Sequence, residues 1–158
     1  MAKRLIQGTV AGFLAAVSVI AHAALPSAGE SSASSGSGRI KAPTAWQKGA
    51  TGRGIVIAVI DSGVNAGHRD LAGHLLTGYN ALNGSTQTGD GNGHGTHVAG
   101  ILGALSNGAG IVGVAYDAKI LPVKIFDANG NGSADSLSSG IRYTAGKADI
   151  LNLSLGAA

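Results

Sequence analysis

The sequence predicts an α/β fold, a doubly wound parallel sheet with helices on both faces. Three observations predict it. Residues 55–60 (IVIAVI) form an unbroken apolar, mostly β-branched run, which suits a strand buried on both faces. Residues 95–105 (GTHVAGILGAL) carry apolar groups at helical spacing, with small residues that permit close packing on a sheet. Strand-like and helix-like segments alternate from there on, which implies βαβ crossovers.

Taken in chain order, residues 1–23 read as a secretory signal peptide. Lys3 and Arg4 supply the charged start, Thr9 to Ile20 the apolar run, and Ala21-His22-Ala23 the small-x-small cleavage site. The apolar run is too short to cross about 30 Å of hydrocarbon as a helix. The chain released by cleavage is expected outside the cytoplasm, secreted or periplasmic, with no membrane association of its own. Residues 24–38 are dominated by SAGESSASSGSG (27–38) and are expected to form a flexible lead-in, because they offer little apolar surface to offset ordering entropy. Residues 39–158 then form the folded unit. After the first strand and helix come apolar runs at 111–115 (IVGVA) and 119–126 (KILPVKIF). Residues 134–147 (ADSLSSGIRYTAGK) read as a helix with Ser133 or Asp135 as N-cap, and DILNLSL (149–155) as another strand-like run. The pattern stops with that strand in progress, so the expectation is the amino-terminal half of a larger domain.

Composition narrows the function classes. Of 158 residues, 44% are hydrophobic and 12% charged, which excludes a wholly disordered chain. The 27 glycines follow no G-X-Y period, so the chain is not collagenous. Cysteine is absent, which removes disulfides, thiolate metal sites and a cysteine nucleophile. The net charge of +3 is spread along the chain. Without Lys3 and Arg4 nine basic residues face eight acidic ones, so no nucleic-acid partner is expected.

In an open parallel sheet, ligands bind beyond the carboxyl ends of the strands, so the loops there hold the chemistry. The first strand ends in Asp61-Ser62-Gly63. An aspartate at that rim can orient a partner, or serve only as a turn or cap residue. Asp-Ser-Gly is also the motif of aspartic proteases, but those need a second such loop and an all-β fold. The second loop, GDGNGHGTHVAG (89–100), places His94 at the start of a helix. His94 and His97 as a metal pair form a weak signal, because HxxH lacks the glutamate of HExxH. Asp61 and His94 on neighbouring strand ends make a stronger combination than either alone.

The segments VIAVIDSGV (56–64) and GHGTHVAGILGAL (93–105) closely resemble the aspartate and histidine motifs of subtilisin-like serine proteases. Arg39-Ile40-Lys41-Ala42-Pro43 with Ala45-Trp46 and Thr51-Gly52, the His68-Arg69-Asp70-Leu71 turn, and GIVGVAYDAKILPVKIF (110–126) extend the resemblance over residues 39 to 158. The resemblance implies a triad in chain order Asp, His, Ser. Asp61 would hold the imidazole tautomer, and His94 would move the proton. The serine motif of the family, Gly-Thr-Ser-Met-Ala, does not occur in the sequence, nor does its oxyanion-hole asparagine segment. The chain as given is therefore expected to be inactive.

The resemblance further implies that an extended polypeptide substrate docks between two strands. These correspond to Gly130-Asn131-Gly132 and Ser154-Leu155-Gly156, so Ser154 belongs to substrate binding and is not the nucleophile. Asp127, Asn129, Asn131 and Asp135 mimic the opening of an EF-hand loop, but Ser138 stands where its glutamate belongs. The better structural calcium (Ca2+) site implied by the resemblance uses the Leu105, Ala109 and Ile111 carbonyls, the Asn107 amide and the Asp70 carboxylate. The family's further glutamine ligand falls at Ser31, next to Glu30. No organic cofactor is expected, and oligomeric state is not legible. Two alternatives to a protease are a non-catalytic secreted peptide-binding or decoy fragment, and one half of a split protease.

Overall fold

The computed structural model describes residues 24–156; the expected signal peptide at 1–23 lies outside the described residues. Four parallel strands build the sheet in the order β2-β3-β1-β4. They are β1 (Val56–Asp61), β2 (Tyr79–Asn80), β3 (Lys119–Lys124) and β4 (Ile150–Asn152). β1 is central, registering Val56 with Lys119 and Asp61 with Lys124 on one side, and Ile57 with Ile150 on the other. The described residues include no helix long and apolar enough to cross a membrane.

The two-residue period of a strand divides β1 between two cores. Ile57 and Val59 pack with Val98 and Ala99 of helix α4 (His94–Gly103), together with Leu71 and Ile120. Ala58 and Ile60 face the opposite way, among Leu121, Val123 and Ile125, with Leu137 and Tyr143 of helix α5 (Ala134–Thr144). Helices thus cover both faces, as the doubly wound reading requires. Ser133 is the N-cap of α5: its hydroxyl accepts from Ser136 N and the Ser136 hydroxyl answers at Ser133 N, both at 3.0 Å. The 111–115 run is not a strand. Its Val112 is buried with Ala42, Trp46 and Tyr116, and Trp46 Nε1 donates to Val114 O at 2.8 Å. β2 is too short to produce an apolar run, so the sequence offers no sign of it. β4 takes only three residues of the 149–155 run.

The expected flexible lead-in is instead ordered, as α1 (Ala28–Ala33) and α2 (Ser35–Arg39), followed by α3 (Ala42–Gln47). Polar groups supply the order. Ser27 and Glu30 close a capping box on α1. The buried Glu30 carboxylate also accepts from Asn107 N at 2.7 Å and Gly108 N at 2.8 Å. Ser34 Oγ pairs with both Val112 O and Val112 N. An expectation based on apolar area has no means of counting such bonds. Glu30→Ala strands two loop amides and removes the carboxylate half of the capping box, leaving the Ser27 hydroxyl on Glu30 N. It is expected to lower stability by about 2 kcal/mol in chemical denaturation and to open the bond after Arg39 to trypsin.

Candidate active site

Asp61 is the last residue of β1 and is 1% exposed. Its backbone oxygen stays in the sheet, accepting from Ile125 N at 2.8 Å, and its Oδ1 accepts from Ser62 N at 2.7 Å. α4 begins at His94, whose Nδ1 lies 2.8 Å from Asp61 Oδ1 and 3.0 Å from Oδ2. Two buried carboxylate oxygens on one ring nitrogen require that nitrogen to carry the proton, which leaves Nε2 with the lone pair. The His94 side chain is 49% exposed, so that lone pair can meet a reactant.

The closeness of α4 to β1 depends on Gly95. A Cβ there would lie 2.1 Å from Gly63 O and 3.1 Å from Asp61 Cβ, so no larger residue lets the helix start this near the strand end. Gly63 itself has φ 109° and faces the carbonyls of Thr88 and Gly89. Sequence reasoning passed over three residues that surround the pair. Ser62 Oγ donates to Asp90 Oδ1 at 2.9 Å and accepts from Gly95 N at 3.0 Å. The Lys124 ammonium donates to Ser62 O. Asp90 collects bonds on both oxygens. Burial alone would push its carboxyl up, but bonds from Thr96, Gly93 and Ser62 outweigh that and hold it at about 2. Its spacing, four residues before His94 in a glycine loop, was the available signal.

The depressed Asp90 carboxyl has a defined stability consequence. The ordinary value, 3.8, applies to the unfolded chain, so the contribution is fully present above about pH 4 and is lost as pH falls through about 2. A partly exposed carboxylate in this position is worth roughly 1–2 kcal/mol. Asp90→Asn is expected to flatten that part of the acid limb in denaturation curves measured between pH 5 and 2.

The two segments expected to dock peptide follow the strands that flank β1. Gly130, Asn131 and Gly132 are exposed in the loop after β3, where Asp127 Oδ1 accepts from Asn129 N at 2.8 Å and Asn131 N at 2.9 Å. Asn92 Nδ2 donates to Ala128 O at 3.2 Å, which ties that loop to the one carrying His94. Ser154, Leu155 and Gly156 are exposed after β4. Both segments are irregular here, and each comes after the carboxyl end of a strand paired with β1.

The residues expected at calcium form one loop packed on a carboxylate. Asp70 is 4% exposed, and its Oδ2 accepts from Ile111 N at 3.4 Å, while Leu105 N donates to Asp70 O at 2.8 Å. Asp70 Oδ1 is buried without a hydrogen-bond partner, having only Arg69 Nε at 3.6 Å. Gly110 clears the carboxylate only for want of a Cβ, which would lie 2.2 Å from Oδ2. An orphaned buried oxygen in a loop rich in carbonyls fits a hard cation. Asn107 Oδ1 accepts from Ala109 N at 3.1 Å, and Glu30 rather than Ser31 is the residue that reaches the loop. No group of three or more His, Cys, Asp or Glu side chains gathers for a metal among the described residues, His94 and His97 included.

Comparison with known proteins agrees with this geometry. The family model described as "Subtilase family" matches residues 52–158. The minor extracellular protease Epr of Bacillus subtilis (strain 168) is 49% identical over 118 residues, covering 74% of this chain and 18% of that protein. Subtilisin Savinase of Lederbergia lenta is 42% identical over 122 residues, covering 77% of this chain and 44% of its own length. The crystal structure of a cold adapted subtilisin-like serine proteinase superposes with a TM-score of 0.61 and 34% identity, over 68% of this chain and 38% of that one. The chain spans less than half the length of these relatives. A parallel sheet with an Asp61–His94 pair at its rim and a family match over two thirds of its residues lead to one conclusion: the chain belongs to the subtilase family of serine proteases.

Proposed function

We propose that this chain carries the aspartate–histidine part of the catalytic domain of a secreted subtilisin-like serine endopeptidase. The 2.8 Å contact between His94 Nδ1 and Asp61 Oδ1 is the observation that carries the reading. Asp61 holds the tautomer and stabilises the imidazolium. His94 Nε2 takes the proton from a serine hydroxyl as it attacks the scissile carbonyl, then gives it to the leaving amine. The hydroxyl comes from a Gly-Thr-Ser-Met-Ala segment, which residues 1–158 do not contain. The substrate is an extended polypeptide lying beside Gly130–Gly132 and Ser154–Gly156.

The test pairs a fluorophosphonate probe with casein. The 158-residue chain by itself is expected to stay unlabelled. With a polypeptide that supplies the family's serine segment, labelling and casein turnover are expected, and both are lost in His94→Ala. Specific labelling of the 158-residue chain alone would overturn this assignment of roles. The exposed Ile150, Leu151 and Leu153 around β4 present an apolar edge that the polypeptide carrying the serine segment would cover.

The loop at 105–111 would hold a structural calcium ion through Asp70, Asn107 and the carbonyls of Leu105, Ala109 and Ile111. When bound, the ion supplies charge compensation for the orphaned Asp70 oxygen and takes no part in the reaction. Millimolar calcium is expected to raise the Tm of the chain by mass action. An equal rise in Asp70→Asn would count against the site.

A further inference from the structure

We propose that Asp90 is the positioning residue for His94, fixing its backbone as Asp61 fixes its ring. The proposal rests on His94 being the general base. Asp90 Oδ1 accepts from Ser62 Oγ at 2.9 Å, Asn92 N at 3.0 Å and Gly93 N at 2.8 Å. Its Oδ2 accepts from Thr96 N at 2.9 Å and Thr96 Oγ1 at 2.6 Å. Asn92 and Gly93 precede His94, Thr96 follows it, and Ser62 is the residue after Asp61. One carboxylate therefore grips the strand end, the loop and the first turn of α4.

The grip is closed by the two hydroxyls. Ser62 Oγ passes it to Gly95 N at 3.0 Å, and Thr96 Oγ1 accepts from Asn65 N at 2.9 Å. His94 N meets Asn92 Oδ1 at 3.3 Å, so its own amide rests on a residue that Asp90 holds. All five partners of Asp90 are donors, and each oxygen faces at least one backbone N–H that has no alternative role. Only an acceptor on both sides satisfies them, which an ionised carboxylate is and an amide is not. Asp90→Asn keeps the shape but turns an NH2 towards a backbone donor. A displacement of about 1 Å in such a constellation costs on the order of 10² in rate. Asp90 touches neither substrate nor reacting atoms; it acts through where it puts His94.

The readout is the His94 Nδ1–H proton, which a strong bond to a buried carboxylate moves to low field and shields from exchange. It is followed by NMR in the 158-residue chain and assigned by its loss in His94→Ala. Asp90→Asn and Ser62→Ala are expected to lose the signal to solvent exchange while circular dichroism stays native. Thr96→Ser, which keeps the hydroxyl, is expected to retain it. Val123→Ala, a destabilising change in the sheet core, is also expected to retain it. Retention in Asp90→Asn overturns the proposal. If that variant does not fold, retention in Ser62→Ala overturns it instead. Loss in Val123→Ala would also overturn it, because the signal would then report general loosening. A parent chain without the signal would overturn the Asp61–His94 pair and the proposal with it, whereas failure of the Asp90 variants alone leaves the pair standing.

Discussion

In a polypeptide that joins this chain to a serine nucleophile of its family, His94→Ala is expected to lower kcat by about 10⁶, the size known for subtilisin itself rather than one obtained from this geometry. Asp61→Asn is expected to cost less, on the order of 10⁴, as known for the triad aspartate elsewhere. The physical difference lies in what each change leaves behind. Without the imidazole no group near the nucleophile can take its proton. Without the Asp61 charge the ring remains, but an amide at 2.8 Å from Nδ1 can donate as well as accept, so the tautomer with Nε2 protonated gains ground. KM should change little in both, because the segments proposed to dock peptide, 130–132 and 154–156, are separate from the pair. Steady-state kinetics on a short amide substrate check this. A KM effect larger than the kcat effect would move His94 from chemistry to binding.

The second large effect is structural. Gly95→Ala is expected to destabilise the chain by about 3–4 kcal/mol, near the upper end for a single methyl group. The added Cβ would sit 2.1 Å from a backbone oxygen, Gly63 O, and 3.1 Å from Asp61 Cβ. A backbone oxygen cannot swing away as the end of a side chain can, and Asp61 Cβ is fixed to the strand by its Cα, so α4 must lift from the end of β1. Gly108→Ala is the matched comparison on the opposite ground: no atom lies within 4 Å of its Cβ position, but φ is +83°, so only backbone strain is added. Its expected cost is about 1 kcal/mol. Urea denaturation of the two variants against the parent measures both, and equal losses would show that the contact at Gly95 is relieved by a small shift.

The sequence by itself determined the sheet core and the pairing of Asp61 with His94 at its rim. IVIAVI suited a strand with two buried faces, and its alternate residues do fill two apolar cores. The glycine loop before His94 already marked a close approach of backbone to backbone. Local pattern was enough there because burial and spacing act within a few residues. Tertiary structure decided what depended on partners far along the chain. The Ser/Gly stretch at 27–38 is helical because Glu30 meets the amides of Asn107 and Gly108, and Ser34 meets Val112, 77 and 78 residues away. β2 exists only because Tyr79 and Asn80 register with Val123 and Lys124. Asp90 is an ordinary turn aspartate in sequence, and only the folded chain brings Ser62 to it across 28 residues. Hydrogen bonds between distant polar groups leave no periodicity to read, whereas apolar burial does.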